Sequence, residues 1–484
     1  MNPIQILKEA PLLKKISSFI KKRDFKVFLV GGALRDILLG EKNITDFDFA
    51  VSGGAIKLAK AISSKIRGSL VILDRKFGCA RIVKKEKERI YTLDFTDFKG
   101  RDIEEDLYKR DFTINCLAVD LVRLKGAEDL NSVIVDPYGG LRDLKGRTIR
   151  VVSKESFFED PLRLARAFSL AAQLKFKIEG KTLRETKAQK SRLKGVAFER
   201  IRDELFKIFS VDNSHIFLRE MDRIGILEII IPEIKIMRRV EQGPYHHLDV
   251  WGHSLETLSQ LEILLEKLKR VKNLKEYLNE VIASDRRRYE MMKLGAILHD
   301  IGKPHALKRK EGKTIFHGHE RIGQTLTENI CRRLKLSVKE EDVIKKIVYW
   351  HLRPGYLADN RLITPRARFR YFRDTQDEGV SVLLISIADQ RATRGPKAKE
   401  KERKRHEEVV SDLIKEFFKK RKEKKLPRIL TGDDLIKILK LTPSPLFGKI
   451  LGKVEELQAI SEIRTKKEAL EVAKRILKKE IRCS

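Results

Sequence analysis

Two aspartates stand one residue apart between large apolar side chains, in the stretch "ITDFDF" at residues 44–49. Side chains two positions apart on a β-strand point to the same face, so Asp46 and Asp48 should project together while Phe47 and Phe49 enter the core. Two negative charges held this close repel each other, and a shared divalent cation relieves the repulsion. Mg²⁺ prefers carboxylate and phosphate oxygens, and ions bound in this way activate an attacking hydroxyl and stabilise a leaving pyrophosphate. Taken alone, this spacing favours an edge strand with one solvated face, with a magnesium site as the alternative.

A glycine pair lies just upstream of these aspartates. Gly31 and Gly32 follow the apolar run "VFLV" and precede the helical pattern "ALRDILLG". A glycine turn at the start of a helix lets backbone N–H groups approach phosphates. Arg35, three residues further on, adds a charged donor for a triphosphate. The glycine turn and the aspartate pair together predict a site for a nucleotide with its metal ion.

The combined stretch "LVGGALRDILLG…TDFDFAV" resembles the signature of the tRNA nucleotidyltransferase and bacterial poly(A) polymerase family. The catalytic head of that family is similar to DNA polymerase beta-type nucleotidyltransferases. The resemblance implies that Gly32 and Arg35 bind the nucleotide and that Asp46 and Asp48 bind Mg²⁺ and are catalytic. Asp94, in the strand-like "IYTLDF", is then a candidate third carboxylate, with a polar residue at a strand end as the alternative.

Three later segments continue the resemblance. "DLYKRDFTINCLAVD" at 106–120 resembles the family's R-R-D-F-T-I-N-A segment, which implies that Arg110 contacts the nucleotide. Lys109 replaces the first arginine and keeps its charge without the bidentate fork. "DPYGGLRDLKGR" at 136–147 resembles the hinge between head and neck. "AFERIRDELFKIF" at 197–209 resembles a supporting helix, in which Arg200 and Glu204 are expected to pair across one turn.

The stretch "EDPLRLARAF" contains a base-selecting pattern. Asp160 and Pro161 predict a helix start, with Asp as N-cap and Pro at the first helical position. Arg163 and Arg166 then lie near a helix N-terminus, where the dipole disfavours cations, and such a broken local rule indicates function. An Asp can accept from the exocyclic amino group of cytosine or adenine while an Arg donates to the ring nitrogen; uracil and guanine present a carbonyl oxygen instead. The pattern matches the family's E-D-x-x-R motif, in which Asp and Arg act as an amino-acid template. The resemblance implies that Asp160, Arg163 and Arg166 bind nucleotide.

The middle of the chain is rich in histidine. His299 and Asp300 end an apolar helix, and imidazole beside carboxylate suits a divalent transition metal or Mg²⁺. The series resembles the HD phosphohydrolase superfamily, which implies His253, His299, Asp300 and Asp389 as metal ligands and His319 and His351 as candidates for a second metal. Such a domain could hydrolyse phosphate esters or cyclic phosphates on RNA ends, or serve as a metal-bearing body that holds tRNA. Histidines satisfied within a core are the third alternative.

The composition favours a polyanionic partner. The chain has 484 residues, with 104 Lys and Arg against 70 Asp and Glu, a net charge of +34. A Lys/Glu-rich surface of the heat-adapted kind would explain the charged fraction but not the excess of one sign. The four cysteines, Cys79, Cys116, Cys331 and Cys483, show no zinc-site or C-x-x-C spacing, which is typical of a reducing compartment. No apolar run approaches the roughly 20 residues of a membrane span, so we expect a cytoplasmic protein with no membrane partner.

The texture of the sequence predicts an α+β fold. Short apolar runs alternate with helical patterns up to about residue 152, which predicts a mixed sheet, and the remainder reads as helical. We expect four regions: a nucleotidyltransferase head at 1–152, a helical neck at 153–230, a helical HD metal-binding domain at 231–394, and a basic helical tRNA-binding region at 395–484. The basic run of the last region is either an RNA contact or a solvated helix face.

The resemblance implies an enzyme that adds C and/or A residues to tRNA 3′ ends from CTP and ATP, with release of pyrophosphate. Complete CCA addition, CC addition, A addition and poly(A) synthesis share the same head motifs. "DFTDFKGRDIEEDLYKRD" leaves few residues where the family has a flexible loop that helps the switch from C to A, which resembles partial-addition or A-adding relatives. The alternatives are an HD hydrolase with a vestigial head and a non-catalytic RNA-binding protein. Nothing in the sequence indicates an oligomeric state.

Overall fold

The computed structural model describes residues 3–21, 25–130, 132–360, 362–423 and 427–483. The chain forms two compact units, one comprising residues 1–211 with 217–230 and the other comprising 212–216 with 231–484. Positions 424 and 425, at the end of the predicted basic run, lie outside the described residues, as does the side chain of Cys483. The other three cysteines are free thiols.

The first unit is built on a seven-stranded sheet in the order β3-β4-β5-β2-β1-β6-β7. Strand β2 pairs with β5 in parallel, and the other neighbours pair antiparallel, so the sheet is mixed as predicted. Its strands are β1 (Val27–Val30), β2 (Asp46–Val51), β3 (Ser69–Asp74), β4 (Cys79–Glu86), β5 (Arg89–Asp97), β6 (Ala118–Asp120) and β7 (Ile134–Val135). A separate parallel pair consists of β8 (Thr148–Ile149) and β9 (Lys177–Ile178).

Strand β2 shows the predicted alternation at its start. Phe47 and Phe49 are buried, whereas Asp46 and Asp48 face solvent. Phe49 stacks on Phe95 of β5, with ring centroids 4.6 Å apart. The aromatic core on one face of the sheet thus fixes the strand that presents both carboxylates on the other face.

Twelve helices surround or follow this sheet in the described residues. They are α1 (Pro3–Glu9), α2 (Pro11–Ile20), α3 (Gly31–Leu38), α4 (Ala55–Ile66), α5 (Ile103–Tyr108), α6 (Gly140–Lys145), α7 (Ser156–Glu159), α8 (Arg163–Leu174), α9 (Gly180–Gln189), α10 (Phe198–Phe209), α11 (Ser214–Ile224) and α12 (Leu227–Ile230). Helix α11 belongs to the first unit from residue 217 onward. Helix α3 begins at the glycine pair directly after β1, as the sequence predicted.

The second unit is helical with two small hairpins. Its helices are α13 (Ile234–Met237), α14 (Val250–Leu268), α15 (Lys272–Leu278), α16 (Arg288–Leu298), α17 (Lys303–Ala306), α18 (His319–Arg333), α19 (Val338–Trp350), α20 (Arg353–Asp359), α21 (Pro365–Thr375), α22 (Gly379–Ala392), α23 (Glu400–Lys422), α24 (Gly432–Leu439), α25 (Pro445–Ala459) and α26 (Lys466–Cys483). The hairpins are β10 (Val281–Ala283) with β11 (Arg286–Arg287), and β12 (Lys308–Lys310) with β13 (Lys313–Ile315). The α+β fold class is confirmed. Among the described residues, no helix combines the length and the apolar character needed to cross a membrane.

Candidate active site and metal cluster

The register of strand β2 gathers three carboxylates on one face of the sheet. Asp48 lies opposite Val30 of β1 on one side and opposite Asp94 of β5 on the other. Directly paired residues on neighbouring strands point to the same face, and Asp46 shares that face by its i, i+2 spacing. The structure therefore places the proposed third carboxylate directly beside Asp48.

The electrostatics of Asp48 fit a bound cation. Burial among the atoms of the surrounding cavity wall raises the pKa of Asp48, although solvent still reaches its carboxylate. The Arg110 guanidinium opposes this shift, whereas the negative charges of Asp94 and Asp46 add to it. A divalent cation held between these carboxylates would favour their charged forms, so the donor set fits Mg²⁺.

Asp94 already has a cationic partner. Arg81 of β4 donates from Nε and Nη2 to the two Asp94 oxygens at 2.8 and 2.7 Å, a bidentate pair. Arg81 stands opposite Asp94 in the β4–β5 register. The sequence reasoning missed this arginine, because only the pairing of two strands brings it to the site.

Gly31 is the glycine that the site requires. Its φ is +74°, and a Cβ built there would lie 3.0 Å from Asp48 Oδ2 and 3.3 Å from Arg110 Nη1. A Cβ on Gly32 would meet only the Arg35 guanidinium, at 3.5 Å, which is ordinary contact. The close approach of the turn to the carboxylate therefore depends on Gly31, beside the Gly32 that the family motif indicated.

We expect Gly31→Ala to lower the efficiency of nucleotide transfer by about ten- to a hundredfold, because left-handed strain costs about 1–3 kcal/mol and the added methyl displaces Asp48 or Arg110. Gly32→Ala is the matched control and should change efficiency by less than about threefold. Steady-state kinetics with ATP and CTP compare the two variants. A larger loss in Gly32→Ala would contradict this account.

The arginines of the head are held by local acids and amides. Arg110 donates from Nε and Nη2 to Asp106 Oδ2, one turn earlier, at 3.1 and 3.0 Å. Arg35 bonds Asp36 and donates from Nη1 to Asn115 Oδ1 at 2.9 Å. Both guanidinium groups are thereby fixed in direction before any ligand arrives.

The neck motif, defined as Asp160, Arg163 and Arg166, begins differently from the prediction. Helix α8 starts at Arg163, so the assignment of Asp160 as N-cap and Pro161 as first helical residue is wrong. Asp160 instead closes a turn: its Oδ1 accepts from Leu162 N–H at 3.2 Å and its carbonyl accepts from Arg163 N–H at 3.0 Å. The turn delays the helix but leaves the Asp160 side chain beside the head.

Arg163 connects the neck to the head. Its nearly buried guanidinium donates from Nη1 to Ser156 Oγ at 2.6 Å and from Nη2 to the carbonyl of Lys109 at 2.8 Å. Nη1 also lies 3.3 Å from the carbonyl of Arg110. The neck motif thus holds the segment that carries Arg110, which the sequence predicted to contact the nucleotide.

The predicted pairing of Arg200 with Glu204 is wrong. Arg200 donates from Nη2 to Asp160 Oδ2 at 2.9 Å, and Glu204 accepts from Arg166 at 3.2 Å and from Lys207 at 3.0 Å. Glu204 is buried, and its charge is compensated by Arg166 of the neck together with Lys207 of its own helix. Helix α10 therefore supports the neck motif through two separate ion pairs.

A cavity of about 340 Å³ unites the head and neck residues. Its wall is formed by Gly31, Gly32, Asp48, Lys99, Arg110, Asp111, Asn115, Asp160, Arg163 and Arg166. The structure brings most of the predicted nucleotide-binding residues to this one wall. Asp46 lies two residues from Asp48 on β2, and Arg35 reaches the cavity through its bond to Asn115. Lys99, Asp111 and Asn115 were not among the predicted site residues, although the last two stand in the motif "KRDFTIN".

The second unit gathers the His/Asp cluster, defined as His253, His299, Asp300, His319, His351 and Asp389. Ligand atoms of His253, His299 and Asp389 form one group, and those of Asp300, His319 and His351 form another, each within 4.8 Å. His299 Nε2 lies 3.2 Å from Asp300 Oδ2, and His319 Nε2 lies 3.3 Å from Asp300 Oδ1. The carboxylate of Asp300 therefore faces both groups, one oxygen towards each.

The histidine tautomers fit metal binding. Nδ1 of His299, His319 and His351 lies 2.8, 2.8 and 2.7 Å from a backbone carbonyl three residues earlier, a contact that suits a protonated Nδ1 and turns Nε2 towards the cluster. The Nε2 atoms of His319 and His351 lie 3.2 Å apart. In the described residues, His299 Nε2 and Asp300 Oδ1 are buried without a hydrogen-bond partner. A buried ring nitrogen and a buried carboxylate oxygen that lack hydrogen-bond partners are suitable ligands for a divalent metal ion.

Lys303 is the fixed cation of the His/Asp cluster. Its Nζ lies 2.6 Å from Asp300 Oδ2 and donates to Gln242 Oε1 at 2.7 Å. Burial disfavours a charged Asp300, but the charges of His299 and Lys303 hold its pKa well below the usual value. The carboxylate is thus available as an anionic ligand across the neutral pH range.

Family models match three segments of the chain. Residues 27–150 match the Poly A polymerase head domain, residues 175–237 match the probable RNA and SrmB-binding site of polymerase A, and residues 250–394 match the HD domain. The three segments contain, in order, the carboxylate face, part of the neck with helix α10, and the His/Asp cluster.

Two curated relatives cover nearly the whole chain. The A-adding tRNA nucleotidyltransferase of Deinococcus radiodurans is 31% identical over 449 residues, which span 91% of this chain and 93% of that protein. The CC-adding tRNA nucleotidyltransferase of Thermus thermophilus is 30% identical over 454 residues, spanning 91% and 92%. Relatives with different named products are thus about equally similar to this sequence.

Solved structures share the fold at lower identity. A CCA-adding enzyme in complex with CTP superposes with a TM-score of 0.66 at 22% identity, covering 99% of both chains. The Thermotoga maritima CCA-adding enzyme complexed with tRNA gives 0.63 at 22% identity, covering 99% of this chain and 98% of that one. The likeness supports the arrangement of elements described above.

Proposed function

Because the chain belongs to the tRNA nucleotidyltransferase family, we propose that the cavity between head and neck is where CTP or ATP is joined to the 3′ end of tRNA. The family predicted from the head motifs is confirmed, and the protein is a nucleotidyltransferase that adds C and/or A residues to tRNA. The proposals below assign its residues, metal ions and product.

One observation carries the assignment of the site. Asp160 and Arg163, the residues suited to read a base edge, line the same cavity as Asp48 and Arg110. A volume of about 340 Å³ is in the range of small-molecule sites, so the cavity can hold one nucleotide. A base bound against the neck would place its triphosphate beside the carboxylates, without any nucleic acid template.

The head residues position the reacting groups. Arg110, Arg35 and the N–H groups of the glycine turn hold the triphosphate, as their fixed hydrogen bonds support. The terminal 3′ oxygen of tRNA forms a bond to the α-phosphorus while the bond to the pyrophosphate oxygen breaks. Mg²⁺ held by Asp46 and Asp48 would neutralise the phosphates and lower the pKa of the 3′-hydroxyl. Asp94 completes this set as a third carboxylate oriented by Arg81.

The neck motif selects the base. Arg163 Nη2 carries two N–H groups and uses one on the carbonyl of Lys109, which leaves the other for a ring nitrogen. Asp160 is held by Arg200 and offers its remaining acceptor capacity to the amino group of cytosine or adenine. Arg166, paired with Glu204, closes the same wall with a further cation.

We expect Asp160→Ala to narrow the preference for CTP and ATP over UTP and GTP by about ten- to a hundredfold, since a hydrogen bond to a charged group is worth about 1.5–3 kcal/mol. Competition assays with pairs of nucleotides measure the preference directly. Asp203→Ala removes an exposed acid from helix α10 and is the control that should leave the preference unchanged. An unchanged preference in Asp160→Ala would refute the template role.

The activity is tested with tRNA transcripts that end before CCA, after C and after CC. Each transcript is offered CTP, ATP, both, UTP or GTP, and the products are resolved at single-nucleotide length. Extension by C or A alone supports the proposed function. No extension with any nucleotide would contradict it and leave the head as a binding platform.

The enzyme performs partial addition: it adds either CC or A to the tRNA 3′ end, and not the complete CCA sequence. Residues 98–102 form a short connection from β5 to α5, where the resemblance places a flexible loop in enzymes that switch from C to A. Two side chains fix this connection: Asp106 Oδ1 accepts from Lys99 N–H at 3.1 Å, and Glu105 Oε2 accepts from Arg101 N–H at 2.9 Å. Growth by three residues followed by a stop would contradict partial addition, and a long A tail would indicate poly(A) synthesis.

A second activity is favoured by the His/Asp cluster. Asp300 faces two groups of ligands and has a buried oxygen with no hydrogen-bond partner among the described residues. We infer a metal-dependent phosphohydrolase acting on phosphate esters of RNA ends, with a nitrogen-rich donor set that suits a divalent transition metal better than Mg²⁺. We further propose that the chain is divided into four regions, with boundaries at residues 152, 230 and 394. We also propose that the protein is located in the cytoplasm.

A further inference from the structure

The hairpin β12–β13 is a concentrated patch of positive charge. It carries Lys308, Arg309, Lys310 and Lys313, all of them exposed, on a span of six residues. Its two-residue turn has φ of +50° at Glu311 and +72° at Gly312, the signature of a tight turn between twisted strands. The turn holds the four cations on a defined scaffold instead of a loose loop.

The charges of this hairpin are not balanced within the protein. Lys310 lies directly opposite Lys313 in the strand register, and like charges in that position destabilise a pair of strands. Throughout the described ranges, no acidic side chain forms an ion pair with any of the four cations. An anion bound from outside the chain would relieve this repulsion.

The α23 segment, residues 399–422, differs in this respect; its sequence is compatible with either an RNA contact or a solvated helix face. Four basic residues of this segment form ion pairs with acids one turn away: the N-cap Lys399 with Glu402, Lys404 with Glu400, Lys415 with Asp412, and Lys420 with Glu416, at 3.1, 3.0, 3.2 and 2.7 Å. These cations are partly neutralised where they stand. The four cations of the hairpin are therefore unpaired over a much shorter span than the basic residues of the α23 segment.

Both ends of the hairpin are fixed at the His/Asp cluster. Helix α17, which precedes it, begins with Lys303, and the Nζ of this residue lies 2.6 Å from Asp300 Oδ2. Helix α18, which follows it, begins with His319 of the cluster. A polyanion bound along the hairpin would thus lie next to the metal ligands.

We propose that the hairpin β12–β13 binds the phosphate backbone of RNA and holds the strand beside the His/Asp cluster. Phosphates spaced along a chain match cations spaced along two short strands, whereas a single free phosphate would engage only part of the patch. The binding surface goes beyond the activities proposed above, and its use in feeding a substrate rests on the proposed phosphohydrolase.

The test compares two variants of the full-length chain that lose the same charge. The hairpin variant carries Lys308→Ala, Arg309→Ala, Lys310→Ala and Lys313→Ala. The helix variant carries Lys399→Ala, Lys404→Ala, Lys415→Ala and Lys420→Ala in the α23 segment. The dissociation constant of a tRNA transcript is measured over a KCl series. Each lost phosphate contact reduces the magnitude of the slope of log affinity against log salt by about 1. The slope should therefore shrink by about 2 to 4 in the hairpin variant and by less than about 1 in the helix variant.

Equal slopes for the two variants would overturn the proposal, because the hairpin would then act only through the net charge of the chain. Weaker binding of the hairpin variant to vesicles containing anionic lipid, with unchanged binding to tRNA, would overturn it in favour of a membrane surface. The assay measures binding without turnover. Its result therefore does not depend on whether the cavity or the cluster is active, and a failed phosphohydrolase assay would leave the RNA surface intact.

Discussion

A chain carrying Asp46→Asn and Asp48→Asn is expected to lose nucleotide incorporation by at least about a thousandfold, or about 4 kcal/mol of transition-state stabilisation. Asparagine keeps the size of each side chain but removes the charge that a divalent cation requires. The two positions face solvent, and the core contacts of β2 are made by Phe47 and Phe49. The fold should therefore survive while the activity is lost.

The stability of this variant has an expected direction. Because the pKa of Asp48 is raised in the folded chain, its contribution to stability is fully present at low pH and is lost as pH rises through the folded pKa. At neutral pH in metal-free buffer, the charged carboxylate therefore disfavours folding, and its removal should leave the unfolding temperature equal or higher. Glu86→Gln, an acid of the same sheet that lies 3.8 Å from Lys15, is the control for incorporation. Normal turnover in the double variant would exclude the metal assignment.

The local features of the head followed from the sequence because they depend on short periods. The i, i+2 spacing of Asp46 and Asp48 fixes their common face wherever the strand lies. The glycine pair marked the start of α3, but the sequence could not tell that the left-handed conformation and the close approach to Asp48 belong to Gly31. That distinction depends on the distance between two chain segments, which no local pattern contains.

Two features of the site were not predicted correctly because the ion-pair partners come from distant parts of the chain, which local spacing rules do not reveal. Arg200 and Glu204 have the spacing of a helical ion pair, yet they bind Asp160 in the turn before α8 and Arg166 on α8. Arg81 reaches Asp94 only through the pairing of β4 with β5. In both cases tertiary packing brings together residues that are distant in the sequence, which a local spacing rule does not show.

The histidine series was predictable in its ligands but not in its internal geometry. Motif order indicated all six residues of the His/Asp cluster, and helices α14, α18 and α22 with the C-terminal ends of α16 and α19 bring them together. The position of Asp300 between two groups, and the Nδ1 contacts that direct each Nε2 inward, depend on side-chain orientation within the helical core. Lys303 was missed because a lysine beside metal ligands has no spacing rule of its own.

Asp300→Asn is expected to weaken divalent metal binding at the His/Asp cluster by more than about a hundredfold and to abolish the proposed phosphohydrolase activity. The substitution removes the anionic ligand that faces both groups. It also leaves the buried Lys303 ammonium without its carboxylate, and this uncompensated charge further repels a metal ion. Metal content after equilibration with Mn²⁺ and dialysis, and hydrolysis of bis(p-nitrophenyl) phosphate, measure the two effects.

Breaking a buried ion pair costs about 3–5 kcal/mol, so this variant is also expected to be less stable. The double variant Asp300→Asn with Lys303→Met removes both charges and should regain stability without regaining metal. His406→Gln changes a buried histidine that lies 2.9 Å from Ser386 Oγ, outside the cluster, and should keep its metal. Nucleotide incorporation reports on the first unit and should persist in all three variants, while the head double variant should keep its hydrolase activity. Full metal content in the Asp300→Asn/Lys303→Met double variant would show that the carboxylate is not a ligand. Because this variant should be stable, a loss of its metal could not be attributed to unfolding.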